Sequence, residues 1–155
     1  MSGNAERRLK ASGIVLPPAP KPLGAYVEAV QVGNLLFVSG ALPLEGGVPK
    51  FVGRLGADIS IEVGRRAARL AALNALALAR QHLGSLDKAQ RVARLFVSLA
   101  TTPEFGEHVK VADGASELLV EVFGAELAST RNVAGVTSLP RGTCVVVEMT
   151  LAMRA

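Results

Sequence analysis

The sequence predicts an α+β protein in which one sheet carries two helices on a single face, in the order ββ-α-β-α-ββ. Two apolar runs, residues 25–32 and 35–40, flank Gly33-Asn34 and indicate a β-hairpin. Residues 60–84 have the apolar spacing of a long amphipathic helix. Two further apolar runs within residues 131–154 indicate a closing pair of strands. A chain of 155 residues is long enough for one such domain with a substantial core.

The N-terminal segment is predicted to be an extended leader over residues 1–22, because four of the six positions from Pro17 to Pro22 are proline. Residues 23–155 are then predicted to form a single domain. The first residues lack the continuous apolar stretch of a secretion signal, and no apolar run approaches the roughly 18 residues that span a bilayer. The only cysteine has no intramolecular partner for a disulfide. We therefore expect a cytoplasmic protein without membrane contacts.

The long helix at residues 60–84 has a start and a stop in the sequence. Asp58 or Ser60 can cap its N-terminus, and Gly84 can end it. Its alanine-rich face allows a close approach to a sheet. The next apolar run, residues 91–100, is predicted to be a strand of that sheet.

The second helix is predicted at residues 113–124, where it ends at Gly124. Ahead of it, Thr102-Pro103 resembles a helix start, with a capping residue followed by proline at the first helical position. The last two strands are predicted to begin near residues 131 and 143.

The strands are apolar on both faces. In the last strand one face holds Val145, Val147, Met149 and Leu151, and the other holds Cys144, Val146, Glu148 and Thr150. Two helices cover one face of a four- or five-stranded sheet and leave the second face open. The sequence therefore predicts an oligomer, with another copy of the chain against the open face.

The composition weighs against several classes of function. The net charge of +4 and the pI of about 9.7 suggest nucleic-acid binding, but the chain has only 4% aromatic residues and its basic residues are dispersed. We therefore expect no nucleic-acid partner. One cysteine and two separated histidines do not make a metal site. We expect His82 to complement a helix C-terminus, His108 to face solvent, and Cys144 to be a small core residue rather than a nucleophile.

Arg131 and Glu148 stand out because each lies in an otherwise apolar strand near the end of the chain. They can form a buried ion pair that supports the structure or an interface. Alternatively, the arginine can hold a substrate carboxylate through its planar fork of N–H groups. The residue pattern leaves both interpretations open.

Two motifs resemble those of the YjgF/RidA family, which includes RutC-like proteins and proteins labelled endoribonuclease L-PSP. The stretch GAYVEAVQVGNLLFVSGALPL is similar to the family's N-terminal hairpin, G-P-Y-x-x-A followed by G-N-x-x-x-x-S-G-Q-x-P. The stretch TRNVAGVTSLPRGTCVVVEM is similar to the C-terminal signature A-R-S-x-V-x-V-x-x-L-P. The similarity spans about residues 20–153 and points to a less studied branch of the family.

The resemblance implies a chorismate-mutase-like fold, a homotrimer and ligand clefts between subunits. It also implies the hydrolysis of reactive enamine/imine intermediates, such as 2-aminoacrylate, to 2-keto acids and ammonia without a cofactor. The arginine that matches Arg131 binds the substrate carboxylate in the family. By the same resemblance, the substrate-binding residues are Tyr26, Ser39, Gly40, Ser116, Asn132 and Val133.

The chain departs from the family pattern at the position of a carboxylate to which water activation is assigned. That position is Val146 here, and Glu148 lies on the same strand face about 7 Å further along. Ala41 replaces a usual glutamine, and Ser116 a frequent asparagine. Three hypotheses follow: a deaminase with Arg131 and Glu148 as catalytic residues, a module that binds a small carboxylate metabolite, or an RNA-cleaving or RNA-binding protein. The sequence offers no acid–base constellation of His, Lys and Glu for the third.

Overall fold

A computed structural model of the chain describes residues 4–155. Its helices and strands are α1 Ala5–Ala11, β1 Ala29–Val32, β2 Leu35–Ala41, β3 Leu44–Glu45, β4 Val48–Pro49, α2 Ile61–Leu83, β5 Ala89–Ala100, α3 His108–Phe123, β6 Thr130–Val136 and β7 Val145–Met153. Five strands form one sheet in the order β1-β2-β7-β5-β6, and β3 pairs with β4 in a small separate hairpin. Neighbours in the large sheet are antiparallel except β5 and β6, which are parallel. The predicted α+β class is confirmed.

The predicted N-terminal hairpin is present as β1 and β2. Val32 pairs with Leu35, so the turn between the strands consists of Gly33 and Asn34 alone. Gly33 has φ of 59°, a backbone conformation that suits the first central position of a tight hairpin turn and favours glycine.

Helix α2 begins and ends as predicted. The Ser60 Oγ accepts a hydrogen bond from the Val63 N–H at 3.2 Å, which selects Ser60 over Asp58 as the cap. Gly84 ends the helix with φ of 82°. The alanines on its inner face are fully buried, so the backbone lies close to the sheet: Ala67, Ala68, Ala71, Ala72, Ala75 and Ala79.

Helix α3 lies against α2 on the same face of the sheet. At Gly114 the two helices are so close that an added Cβ would lie 2.8 Å from the carbonyl carbon of Arg65 and 2.9 Å from its Cα. Glycine is therefore the residue that permits this crossing. This contact determines the rotation of α3 about its axis, and so which side chains of its next turn point toward the sheet.

The prediction of a helix start at Thr102-Pro103 is wrong, and α3 begins at His108, earlier than the predicted residue 113. Thr102 instead donates its N–H to the carbonyl of Leu55 at 2.9 Å. This hydrogen bond continues the pairing of the end of β5 with the preceding loop, so the chain leaves the sheet as a loop before it turns into the helix.

The prediction of an extended leader is wrong for residues 5–11, which form α1. Leu9 is buried, and the Glu6 carboxylate accepts a hydrogen bond from the Leu86 N–H at 2.9 Å. A helix this short gains its stability from such tertiary contacts rather than from its own sequence pattern. Residues 1–3 of the predicted leader lie outside the described residues. Within residues 4–155 no helix has the length and apolarity needed to cross a membrane.

The face of the sheet opposite the helices is open to solvent and largely apolar. Val30, Val32 and Phe37 are 47%, 61% and 46% exposed on it. Val30 is the pairing partner of Phe37 across the hairpin, so these side chains form one patch. This is the face that the sequence analysis expects another copy to cover.

Candidate functional site

Arg131 lies on the helix-covered face of the sheet. It pairs with Leu95 of β5, whose side chain is fully buried under the helices, and paired residues of neighbouring strands project to the same face. The Arg131 Nη1 donates hydrogen bonds to the Asp113 Oδ1 at 2.6 Å and to the Ser116 Oγ at 3.1 Å. Both acceptors belong to α3 and are three residues apart, which places them on one side of that helix.

A second group of candidate residues surrounds an open cleft of about 480 Å³ on the uncovered face. The cleft combines an apolar floor with polar groups at its edge, as small-molecule sites commonly do. Its walls are formed by Tyr26, Val30, Phe37, Val38, Ser39, Gly40 and Glu148.

The polar groups of this cleft are held by the backbone of the segment before β1. The Ser39 Oγ donates to the carbonyl of Val27 at 2.7 Å, and the Tyr26 hydroxyl oxygen accepts from the Leu23 N–H at 3.0 Å. The side chain of Glu148, in contrast, is exposed, and its carboxylate makes no hydrogen bond or ion pair within residues 4–155. Its carboxylate is therefore available to a ligand or to a second chain.

Gly40 lies at an irregularity in the pairing of β2 with β7. A Cβ at this position would lie 3.0 Å from the side chain of Val146. Glycine thus lets the backbone of β2 approach the residue that stands where the family has a carboxylate.

Arg131 and Glu148 lie on opposite faces of the sheet. Phe96 of β5 pairs with Glu148 on one side and with Asn132 on the other, so Glu148 and Asn132 share the open face and Arg131 does not. The hypothesis of an ion pair between Arg131 and Glu148 is therefore wrong within one chain. The ion-pair partner of Arg131 is Asp113.

The structure thus divides the predicted site residues into two groups. Tyr26, Ser39, Gly40 and Glu148 meet in the cleft, whereas Arg131 and Ser116 meet under α3. Strand β6 is three strand positions from β2, which corresponds to about 14 Å. Val133 shares the face of Arg131 and packs against the core, and Asn132 is exposed on the other face near the sheet edge. One chain alone does not bring the two groups into contact.

Sequence reasoning missed Asp113. With the helix predicted to begin at residue 113, nothing marks this carboxylate as facing the sheet. Once α3 begins at His108, Asp113 and Ser116 fall on the same side of its second and third turns. The signal available in the sequence is the spacing of two polar residues in an otherwise small and apolar helix face.

The remaining candidate groups have structural roles. Cys144 is fully buried, and burial raises the pKa of its thiol to about 11, so the protein holds it in the unreactive protonated form. His82 lies in the last turn of α2, as predicted. The prediction that His108 faces solvent is wrong in part: it is half-buried and packs edge-on against Phe105, with ring centroids 5.3 Å apart. Among residues 4–155 no group of three or more His, Cys, Asp or Glu side chains is placed to hold a metal ion.

Comparisons with known proteins place this fold among its relatives. Protein TCP17 of Trypanosoma cruzi is 39% identical over 148 residues, which cover 95% of this chain and 92% of that protein. The structure of Atu1372, a protein of unknown function from Agrobacterium tumefaciens, is 38% identical with a TM-score of 0.88 and covers 97% of this chain and 92% of that one. Escherichia coli TdcF, solved with bound serine, is 20% identical with a TM-score of 0.63 over 90% of this chain and 94% of its own, and this likeness shows the fold alone.

A family model also matches almost the whole chain, from residue 6 to residue 151. Its description is YjgF/chorismate mutase-like, with an endoribonuclease label. The match includes both motifs, the hairpin with its serine–glycine pair and the strand that carries Arg131. The chain belongs to the YjgF/RidA family and has its chorismate-mutase-like fold.

Proposed function

We propose that the protein is a hydrolase that deaminates enamine/imine intermediates of amino acids to 2-keto acids and ammonia. The observation that carries this proposal is the hydrogen bonding of the Arg131 guanidinium. One nitrogen is anchored to α3, while Nε and Nη2 make no hydrogen bond within residues 4–155. Two adjacent N–H donors on a fixed, half-buried cation suit the carboxylate of a small acid.

The chemistry requires little beyond this anchor. An imine carbon is already electrophilic, so water adds to it, a C–O bond forms and a carbinolamine results. Collapse of the carbinolamine breaks the C–N bond, and the nitrogen leaves as ammonia with the protons that water supplied. Glu148, exposed at the cleft and unpaired within the described residues, is the carboxylate that we assign to the water. This reaction needs orientation and a base, and no cofactor.

We propose a homotrimer as the active assembly. Arg131 lies near one edge of the sheet, on β6, while the cleft lies beside the other edge, at β1 and β2. A cyclic assembly brings opposite edges of neighbouring copies together and can complete one site at each interface. The apolar patch around Phe37 supports burial of this face. The resemblance to the family supports three as the number of copies.

The assembly is tested by light scattering after size exclusion. Phe37→Glu is expected to give a monomer, because it places a charge in the proposed interface. Val109→Glu is the matched control, since Val109 is a 62% exposed apolar residue on α3. A monomeric mass for the wild type at micromolar concentration would contradict the proposed trimer.

The activity is tested by the release of ammonia and keto acid from freshly generated 2-aminoacrylate and from bulkier imines. We expect Arg131→Ala to lower kcat/KM by roughly 10- to 100-fold, the range of a lost charge-assisted hydrogen-bonded pair. Arg69→Ala is the control, because Arg69 pairs with Glu121 on the outer surface of the helices. Equal rates for wild type and Arg131→Ala would refute the proposed role of the arginine.

A second function is favoured by one observation, the half-buried Val146 where the family has a carboxylate. A cleft without that group can bind a small carboxylate metabolite and leave it unchanged. In that case pyruvate binds in calorimetry and Arg131→Ala abolishes the binding, but no imine is turned over faster than in buffer. RNA binding, suggested by the family label, predicts a steep loss of affinity with salt, which a filter-binding assay at two salt concentrations measures.

A further inference from the structure

We infer that Asp113 is the positioning residue of Arg131: it fixes the guanidinium so that the Nε and Nη2 edge is the one offered to a ligand carboxylate. This inference rests on the proposed function only in taking Arg131 as the carboxylate anchor. It adds a residue that neither of the family motifs contains.

The contact itself is short and directional. The Asp113 Oδ1 lies 2.6 Å from the Arg131 Nη1, and the Ser116 Oγ accepts from the same nitrogen at 3.1 Å. Both acceptors therefore hold one corner of a rigid planar group. A planar cation fixed at one corner keeps few orientations, which lowers the entropy cost of forming two further hydrogen bonds.

The partial exposure of the two side chains indicates that Asp113 mainly orients the Arg131 guanidinium and contributes little through charge attraction. The side chain of Arg131 is 20% exposed, and that of Asp113 is 41% exposed. Solvent weakens the Coulomb attraction of a pair in which one member is this accessible. The geometry of the hydrogen bond is then the larger part of what Asp113 contributes.

The support for Asp113 comes from the next residue along the helix. Gly114 packs against the backbone of Arg65, so α3 cannot rotate at this turn without a clash. The carboxylate is thus presented from a fixed backbone. Helix positions define such geometry better than loop positions do.

This arrangement determines how a ligand is held. A guanidinium binds a carboxylate through two parallel N–H groups. With Nη1 occupied, the remaining pair is Nε and Nη2, which grips the ligand side-on. Because Asp113 also brings a negative charge, an alternative role exists in which it competes with the ligand for the arginine. The two roles predict opposite effects of removing the whole carboxylate: weaker ligand binding if Asp113 positions the arginine, and tighter binding if it competes with the ligand.

The test compares Asp113→Asn with Asp113→Ala, using pyruvate as the probe in calorimetry and Glu121→Ala as a control on the outer side of α3. Asparagine keeps an oxygen acceptor without the charge, so positioning predicts binding within about threefold of wild type for Asp113→Asn and about tenfold weaker binding for Asp113→Ala. Tighter binding by both variants would overturn the inference in favour of competition, and unchanged binding by Asp113→Ala would overturn it as well.

A second measurement separates positioning from a general loss of structure. In ¹⁵N NMR, the Arg131 Nε–Hε resonance is expected to be sharp in wild type and Asp113→Asn and broadened in Asp113→Ala, with unchanged melting temperatures. If wild type binds pyruvate but turns over no imine, the proposed deaminase fails, and the Asp113 variants still decide this inference. If wild type does not bind pyruvate, both fail.

Discussion

Gly114→Ala tests the helix crossing that places α3 over Arg131. At a solvent-exposed helix position this substitution stabilises a protein by about 1 kcal/mol. Here the new Cβ would lie 2.8 Å from the carbonyl carbon of Arg65, closer than the 3.4 Å of ordinary contact. The obstacle is backbone, and the carbonyl oxygen of Arg65 would lie even closer to the new Cβ than the carbon does. Backbone cannot rotate away as a side chain can, so the helices must separate by roughly 1 Å.

The cost follows from the effects of overfilling a packed interior. Adding a methyl group to a well-packed interior lowers the free energy of unfolding by about 1–3 kcal/mol. Because the neighbour here is backbone that cannot move aside, we expect Gly114→Ala to fall in the upper half of that range. For a chain of this length, a loss of about 2–3 kcal/mol lowers Tm by roughly 4–12 °C. Because α3 carries Asp113 and Ser116, we also expect weaker pyruvate binding at temperatures where the variant is folded.

The assay is thermal unfolding by circular dichroism at one fixed protein concentration, since an oligomer's Tm depends on concentration. Gly106→Ala is the control: it lies outside the helices, and an added Cβ there has no atom within 4 Å among the described residues. We expect its Tm to stay within about 2 °C of wild type. A Tm for Gly114→Ala at or above that of wild type would refute the reasoning.

Three further predictions concern stability. Burial raises the pKa of the Cys144 thiol to about 11, so between about pH 8.5 and pH 11 the folded state keeps a proton that the unfolded state loses. The free energy of unfolding is therefore complete below about pH 8.5 and should fall by about 1.4 kcal/mol per pH unit up to about pH 11. Urea denaturation at several pH values measures this slope, and Cys144→Ala should flatten it. Asn74→Ala should lower the free energy of unfolding by about 2–3 kcal/mol in the same assay, because the buried Asn74 Nδ2 donates at 2.9 Å to the backbone carbonyls of both Leu42 and Leu44. A free energy of unfolding equal to that of wild type would contradict this prediction. Glu121→Gln should cost under about 1 kcal/mol, because its pair with Arg69 is exposed, and the difference from wild type should shrink in 1 M salt.

The parts of the fold that the sequence predicts are those decided by local chemistry. The Gly33-Asn34 turn and the caps of α2 depend on residues within a few positions of one another. α1 escapes prediction because its stability comes from Leu9 and from the contact of Glu6 with a turn far along the chain. A seven-residue helix has no strong periodic signal of its own.

The candidate site also combines features that local sequence predicts with features that only the tertiary structure decides. Motif spacing names Arg131 and Ser39, but it does not give the strand order that separates them. The parallel pairing of β6 with β5 decides which face Arg131 occupies, and a shift of one residue would reverse it. This is why an ion pair between Arg131 and Glu148 looks plausible in the sequence and does not form in the chain.

The place of β7 in the sheet has a consequence for folding. β7 pairs with β2 on one side and with β5 on the other, and it follows all the other described strands in the chain. During synthesis, β2 and β5 therefore leave the ribosome before their shared neighbour. Each has one unpaired edge until residues 145–153 are made. Such long-range closure slows folding and exposes strand edges meanwhile. We expect that loss of even part of β7 leaves a nascent chain that aggregates, whereas comparable losses within α1 leave the sheet able to close.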